Sequence, residues 1–150
     1  FTPRVLIDVM TELIKPQLGD KCFDPACGTF GFMIAANRYV NAHNDMYALS
    51  DRQADFQQNK AFNGVELVHE THRLALMNAY LHNMNANITL GDSLAQSAKG
   101  LKDFDVILTN PPFGTKKGGE RATRATELFA GDLSQPEGGR QGSLRRGAAG

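Results

Sequence analysis

The sequence predicts an α/β layer built on a parallel sheet, and three observations carry that reading. Segments of strand and helix character alternate along the chain, one strand is an unbroken apolar run, and acids or glycines stand at the strand ends. Its 150 residues support one domain with a sizeable core.

TPRVLIDVMTELIKPQL opens with Thr2 as an expected N-cap and Pro3 at the first helical position. Val5, Leu6, Val9, Met10, Leu13 and Ile14 recur at helical spacing and are expected to form the packed face. Pro16 ends the helix near Lys15. DKCFDPACGTFGFMIAANRYV then reads as a short strand over 21–23, a loop of small residues and a helix from Gly31. Residues 41–60 are polar and weakly patterned, which suggests a loop or irregular helix. AFNGVELV, 61–68, is a second strand that reaches an acid, and 70–84 is a helix on which Leu74, Met77, Leu81 and Met84 share a face. ITLGDSL gives a third strand over 88–90 with a turn at Gly91 and Asp92. In FDVILTN, the run Val106, Ile107, Leu108 implies burial on both faces, as in a parallel sheet.

Beyond Gly118 the apolar period is lost. A short helix is expected over 123–130, and the Gly, Arg, Ser and Gln composition of 131–150 cannot bury enough surface to offset its ordering entropy. The expected organisation is therefore a core over 1–130 and a disordered or non-native tail over 131–150. Because the chain begins at Phe1, it is expected to be a segment of a longer protein.

Composition narrows the function classes. Lys and Arg total 16, as do Asp and Glu, so no overall field announces a nucleic-acid or membrane partner. DNA phosphates must then be met by a local patch or another chain. Cys22 and Cys27 are too few for a disulfide framework and lack zinc-knuckle spacing. With no apolar run of membrane-spanning length, a reduced, cytoplasmic setting without membrane or metal is expected. His69, His72 and His82 read as a solvated helix face rather than a metal site.

In open α/β sheets ligands sit beyond the carboxyl ends of the strands. Here those ends carry Asp24 with the Gly28, Thr29, Phe30, Gly31 turn, then Glu66, Asp92 and Asn110. A glycine turn before a helix lets backbone approach a ligand, but the full G-x-G-x-x-G phosphate fingerprint is absent and acids crowd the edge. Acids repel phosphate, attract an ammonium and bind sugar hydroxyls. S-adenosylmethionine has an amino-acid head, a ribose and an adenine, and so satisfies all of them. Each residue alone also has a bland reading: Asp24 and Asp92 as turn residues, Glu66 as an exposed strand end. Their ordered succession argues for the ligand.

NPPF follows the fourth strand. Asn110 and Pro111 are held extended by the prolines that follow them, and neither Pro111 nor Pro112 has an N–H. The Asn110 amide oxygen and the Pro111 carbonyl can then face a guest as paired acceptors for an amino group. Such a grip favours a more tetrahedral nitrogen on a nucleobase amine and aims its lone pair at a sulfonium methyl, while Phe113 stacks on the base. A duplex base reaches such a pocket only when flipped out.

DPACGTFGF, GVE, GDSL and NPPFG, in that order and preceded by FTPR, resemble the adenine-N6 DNA methyltransferases, and most closely the modification subunit of type I restriction-modification systems. The resemblance covers residues 1–124. It implies a Rossmann-like S-adenosylmethionine-dependent methyltransferase sheet, here truncated after the fourth strand. It also implies a complex with a specificity subunit that reads DNA and a restriction subunit. By position, Thr2, Pro3 and Arg4 match the segment near the methionine end of the cofactor, and Asp24, Gly28, Thr29, Phe30 and Gly31 match the cofactor loop. Glu66 matches the acid on the ribose, Asp92 the acid near the adenine, and Asn110, Pro111, Pro112 and Phe113 the catalytic tetrad. Phe30 departs from the family, which commonly has a second glycine there, and narrows backbone freedom. Lys116, Lys117, Arg121 and Arg124 read as phosphate contacts or as an ordinary solvated loop. Two alternatives stand beside this reading: methylation of a protein glutamine amide, and a cofactor-binding or partner-docking module without turnover.

Overall fold

Parallel strands set the layout of the chain, whose computed structural model describes residues 1–94, 103–110, 124 and 145–146. Helix α1 (Arg4–Ile14) leads into β1 (Cys22–Asp24) and α2 (Gly31–Ala42). A 3₁₀ turn at Met46–Ala48 and α3 (Asp51–Asn59) precede β2 (Phe62–Glu66), α4 (His69–Leu81), β3 (Asn87–Leu90), β4 (Val106–Ile107) and β5 (Arg145–Arg146). The order across the sheet is β3-β2-β1-β4-β5, with every pairing parallel. Chain order reverses between β1 and β4, so their carboxyl ends flank the crevice where ligands bind in such sheets. The β5 residues are the described part of 131–150; the rest of that tail and all of the expected 123–130 helix except Arg124 lie outside the described residues.

Alternation along the strands fills both faces. Cys22, Phe62, Val106 and Leu108 join a core with Met10, Phe32, Met33, Ala36, Ala75 and Ala79 from the helices. Phe23, Val65, Phe104 and Ile107 form a second cluster on the opposite side, with Phe23 and Phe104 stacked at 4.5 Å between centroids.

Several expectations change. Pro3, not Thr2, is the N-cap of α1; its carbonyl accepts from the Leu6 and Ile7 amides, which leaves the Thr2 hydroxyl for other use. α1 packs through Ile7, Met10 and Ile14, whereas Val5, Val9 and Leu13 are exposed. Similarly, α4 turns Ala75 and Ala79 inward, and Leu74, Met77 and Leu81 stand exposed, with only Met84 of that expected face buried. Small side chains let a helix axis come close to the sheet, and the longer ones are then directed outward. Residues 41–60, expected as loop or irregular helix, include a regular α3. A capping box fixes its start: Gln53 N–H donates to Ser50 Oγ at 3.3 Å and Ser50 N–H to Gln53 Oε1 at 3.0 Å.

One close approach seats the loop after β1. A Cβ on Gly64 of β2 would lie 2.9 Å from both Cys27 Cβ and Phe30 Cε2. Phe30 takes the left-handed conformation (φ 73) that the missing glycine would favour, and its ring is fully buried. Gly64→Ala is therefore expected to destabilise the fold by roughly 1–3 kcal/mol through overpacking, read as a lower midpoint in thermal or urea unfolding. An unchanged midpoint would show that the contact is not tight.

Candidate functional site

A cavity of about 760 Å³ opens at the carboxyl ends of β3, β2, β1 and β4. Its lining includes Thr2, Asp24, Gly28, Thr29, Gly31, Glu66, Asp92 and Asn110, so residues far apart in sequence converge on one crevice. Phe1, Ile7, Leu67, Val68, Thr71 and Ser93 also face it. Pro3 and Arg4 do not line it and are exposed. Phe30 lies beneath the loop in the core rather than in the cavity. Pro111, Pro112 and Phe113, together with Lys116, Lys117 and Arg121, lie outside the described residues; Arg124 is exposed.

Backbone amides determine how the acids are held. Asp24, at the end of β1, accepts from Ala26 N–H at 3.0 Å. Glu66 bridges two segments, taking Gly28 N–H on Oε2 at 2.9 Å and Val68 N–H on Oε1 at 2.8 Å. It thereby ties the glycine turn to the end of β2. Asp92 caps its own turn by accepting Leu94 N–H at 3.0 Å, so its turn role coexists with its place on the cavity wall. On the far wall, Asn110 Nδ2 donates to Thr2 Oγ1 at 3.0 Å.

Two supports were not legible in the sequence. Asn78 of α4 donates from Nδ2 to the Thr29 carbonyl at 3.0 Å and so pins the loop after β1 from behind; a polar residue between Ala75 and Ala79 was the only signal. Leu67 and Val68, just past Glu66, present apolar surface at the cavity rim. On the same helix, His72 Nε2 lies 2.8 Å from the Ile88 carbonyl and fastens α4 to β3.

Electrostatics single out Asp24. Burial pushes its carboxyl from 3.8 up to about 7; the Ala26 amide and the nearby Thr109 hydroxyl oppose this, and the charge of Glu66 adds to it. The Thr109 hydroxyl is itself buried and forms no hydrogen bond of good geometry among the described residues. Burial, then the charges of Asp24 and Glu66, push the Cys27 thiol far up, so it stays protonated and is no nucleophile. A cavity walled by acids, with backbone donors beside them, suits a cationic ligand that also carries hydroxyls.

The folded-state value of Asp24 lies above the unfolded one, so the unfolded chain releases this proton first. The contribution of this group to stability is fully present below about 3.8 and is lost as pH rises through about 7. Asp24→Asn is expected to flatten the decline of the melting temperature across that window. Parallel pH profiles for the two proteins would refute the assignment.

Comparison with known proteins gives the family and the fold. The family model for N-6 DNA methylase matches residues 1–140. The chain is 46% identical over 144 residues to the type I restriction enzyme StySPI methylase subunit of Salmonella potsdam, covering 91% of this chain and 26% of that protein. It is 45% identical to the EcoKI methylase subunit of Escherichia coli K12 over the same shares. The crystal structure of the EcoKI M protein superposes with a TM-score of 0.72 at 45% identity, covering 76% of this chain and 25% of that one. An RNA methyltransferase from Salinibacter ruber, solved with S-adenosyl-L-homocysteine, shares the fold at a TM-score of 0.58 and 17% identity, over 85% of this chain and 70% of that one. The chain thus spans about a quarter of the length of its type I relatives. The sheet is the Rossmann-like one of methyltransferases, and the chain belongs to the N-6 DNA methylase family.

Proposed function

We propose that the protein carrying this chain methylates the N6 amine of adenine in DNA, using S-adenosylmethionine, as the modification subunit of a type I restriction-modification complex. The observation that carries this reading is the convergence of Asp92, Glu66, Asp24 and Asn110 on one cavity in the spatial order of the strands. Its volume of about 760 Å³ falls in the ordinary range for small-molecule sites.

The residues present fit the donor. Each Glu66 oxygen already accepts one backbone N–H and keeps a lone pair for a ribose hydroxyl. Leu67 and Val68 offer apolar surface to an adenine beside Asp92, and Asp24 with Glu66 favours the positive amino-acid and sulfonium end. Gly28 (φ 53) and Thr29 shape the backbone around that end, with Gly31 opening α2 behind them. Pro3 and Arg4 serve by starting α1 rather than by contact. The donor, when bound, supplies an electrophilic methyl group.

The remaining chemistry belongs to the chain. Asn110 Oδ1 and the Pro111 carbonyl accept the two hydrogens of the amine and hold its lone pair toward the donor, with Pro112 keeping the platform stiff. Phe113 stacks on the flipped base, worth about 1–3 kcal/mol by comparison with single-strand binders. Sequence reading of the DNA is left to a specificity subunit and cleavage to a restriction subunit, in the cytoplasm. Among the described residues no helix is long and apolar enough to cross a membrane.

The test uses the complete subunit assembled with its specificity partner and a methyl-labelled donor. Label is expected in adenine of DNA, and Asn110→Ala is expected to lower kcat by about 100-fold or more while the donor still binds. Label in protein glutamine, or wild-type turnover by Asn110→Ala, would overturn the reading.

A further inference from the structure

We infer that Thr2 is a positioning residue for Asn110: its hydroxyl holds the amide by the nitrogen, so that the carbonyl oxygen is presented to the substrate amine. This rests on the proposed role of Asn110 and adds to it a residue from the opposite end of the chain.

The argument begins with a choice that an amide side chain must make. Asn110 has a donor end and an acceptor end of nearly equal size, and rotation by half a turn about its last bond exchanges them. Only the acceptor end can take a hydrogen from an exocyclic amine; the donor end would meet that amine with its own hydrogens. β4 ends at Ile107, so strand pairing alone does not fix the Asn110 side chain. What holds it is the bond from Nδ2 to Thr2 Oγ1, 3.0 Å long, between residues 108 positions apart. With the nitrogen engaged there, Oδ1 remains for the guest. Both residues line the cavity, and Asn110 is half-buried, where loss of a partner is felt more than on open surface.

Thr2 can play this part because it lines the cavity and its hydroxyl is not used for capping. Pro3 takes the cap position of α1, which leaves the Thr2 hydroxyl outside the helix. The helix is fixed in turn against the start of α2: Ile7 Cδ1 would lie 3.0 Å from a Cβ on Gly31, and Ile7, Met10 and Ile14 pack into the core. A rigid path therefore runs from the start of α2 through α1 to Thr2 and on to Asn110. It fixes the orientation of the acceptor-binding amide relative to the loop beside the donor.

The experiment measures Thr2→Val, which keeps the shape and removes the acceptor, and Thr2→Ser, which restores a hydroxyl. Both are made in the complete subunit assembled with its partners. Thr2→Val is expected to lower kcat about tenfold while the dissociation constants for S-adenosylmethionine and DNA stay within about twofold. Thr2→Ser should recover most of the rate, and Thr2→Val added to Asn110→Ala should cost nothing further, since the group it orients is gone. Unchanged kcat in Thr2→Val, or a full additional loss in the double variant, would overturn the inference. So would weaker donor binding at unchanged kcat, which would make the hydroxyl a donor contact instead. A single Asn110→Ala variant with wild-type turnover would fail one step earlier, at the role of Asn110 itself.

Discussion

The cavity depends on a hydrogen atom at Gly64 where any other residue would carry a Cβ. That vacancy lets Cys27 and Phe30 rest directly on β2. The loop then continues the sheet: Cys27 N–H reaches the Val65 carbonyl at 3.0 Å, and Phe30 N–H returns to the Cys27 carbonyl at 2.7 Å. Phe30 adopts a left-handed backbone that costs a non-glycine residue roughly 1–2 kcal/mol. Burying its ring is worth roughly 1.5–3 kcal/mol, enough to offset that strain. Packing therefore does here what a glycine does by freedom from steric conflict. The seated turn can then offer Gly28 N–H to Glu66 and the Thr29 carbonyl to Asn78.

Charge is arranged to leave the cavity in need of a cation. The ion pairs Arg38–Asp8 and Lys60–Asp55 lie on exposed surface and contribute little. Asp24 and Glu66 instead share the cavity wall, stabilised by backbone amides rather than by a basic side chain among the described residues. Amide donors hold a carboxylate in place without neutralising it, so Glu66 keeps its attraction for a positive ligand, whereas burial raises Asp24 to about 7 and leaves it only part-ionised at neutral pH.

Much of this was legible in the sequence because strand ends mark themselves. Asp24, Glu66, Asp92 and Asn110 each follow an apolar segment, and the structure brings all four to one cavity. Strands β1 to β4 and three of the helices lie where apolar period and turn residues put them, within a few positions, whereas β5 carries no such signal. α3 was hidden because only Gln57 on it is buried, so no apolar stripe exists and the signal was the local Ser50 and Gln53 box. Periodicity identified α1 and α4 and, on α1, the inward Met10 and Ile14, but not Ile7 or the inward side of α4. It reports that an apolar face exists; it does not choose between a leucine face and an alanine face when both are present. The bond between Thr2 and Asn110 joins residues 108 positions apart, a distance over which no local pattern extends.

Spatial order, rather than chain order, explains why these four groups suit one extended ligand and its acceptor. Asp92 and Asn110 lie only 18 positions apart in sequence, yet β3 and β4 stand on opposite sides of β2 and β1. At about 4.8 Å per strand, three spacings separate them by roughly 14 Å. Asp92, Glu66, Asp24 and Asn110 thus form a row with increments set by backbone hydrogen bonds, among the least deformable spacings in the fold. On the proposed reading, the row runs from the adenine of the donor through its ribose and amino-acid end to the incoming amine. Parallel pairing fixes each strand end against its neighbour, so on that reading the ends that carry Asp24 and Asn110 are registered by the sheet, and the bond to Thr2 orients the Asn110 amide beyond it. Reaction between two bound partners demands that registration, because a misplacement of about 1 Å can cost two orders of magnitude in rate. A sheet wound in simple chain order would place the Asp92 and Asn110 ends side by side and leave no such row; the crossover from β3 to β4 past the two central strands creates it.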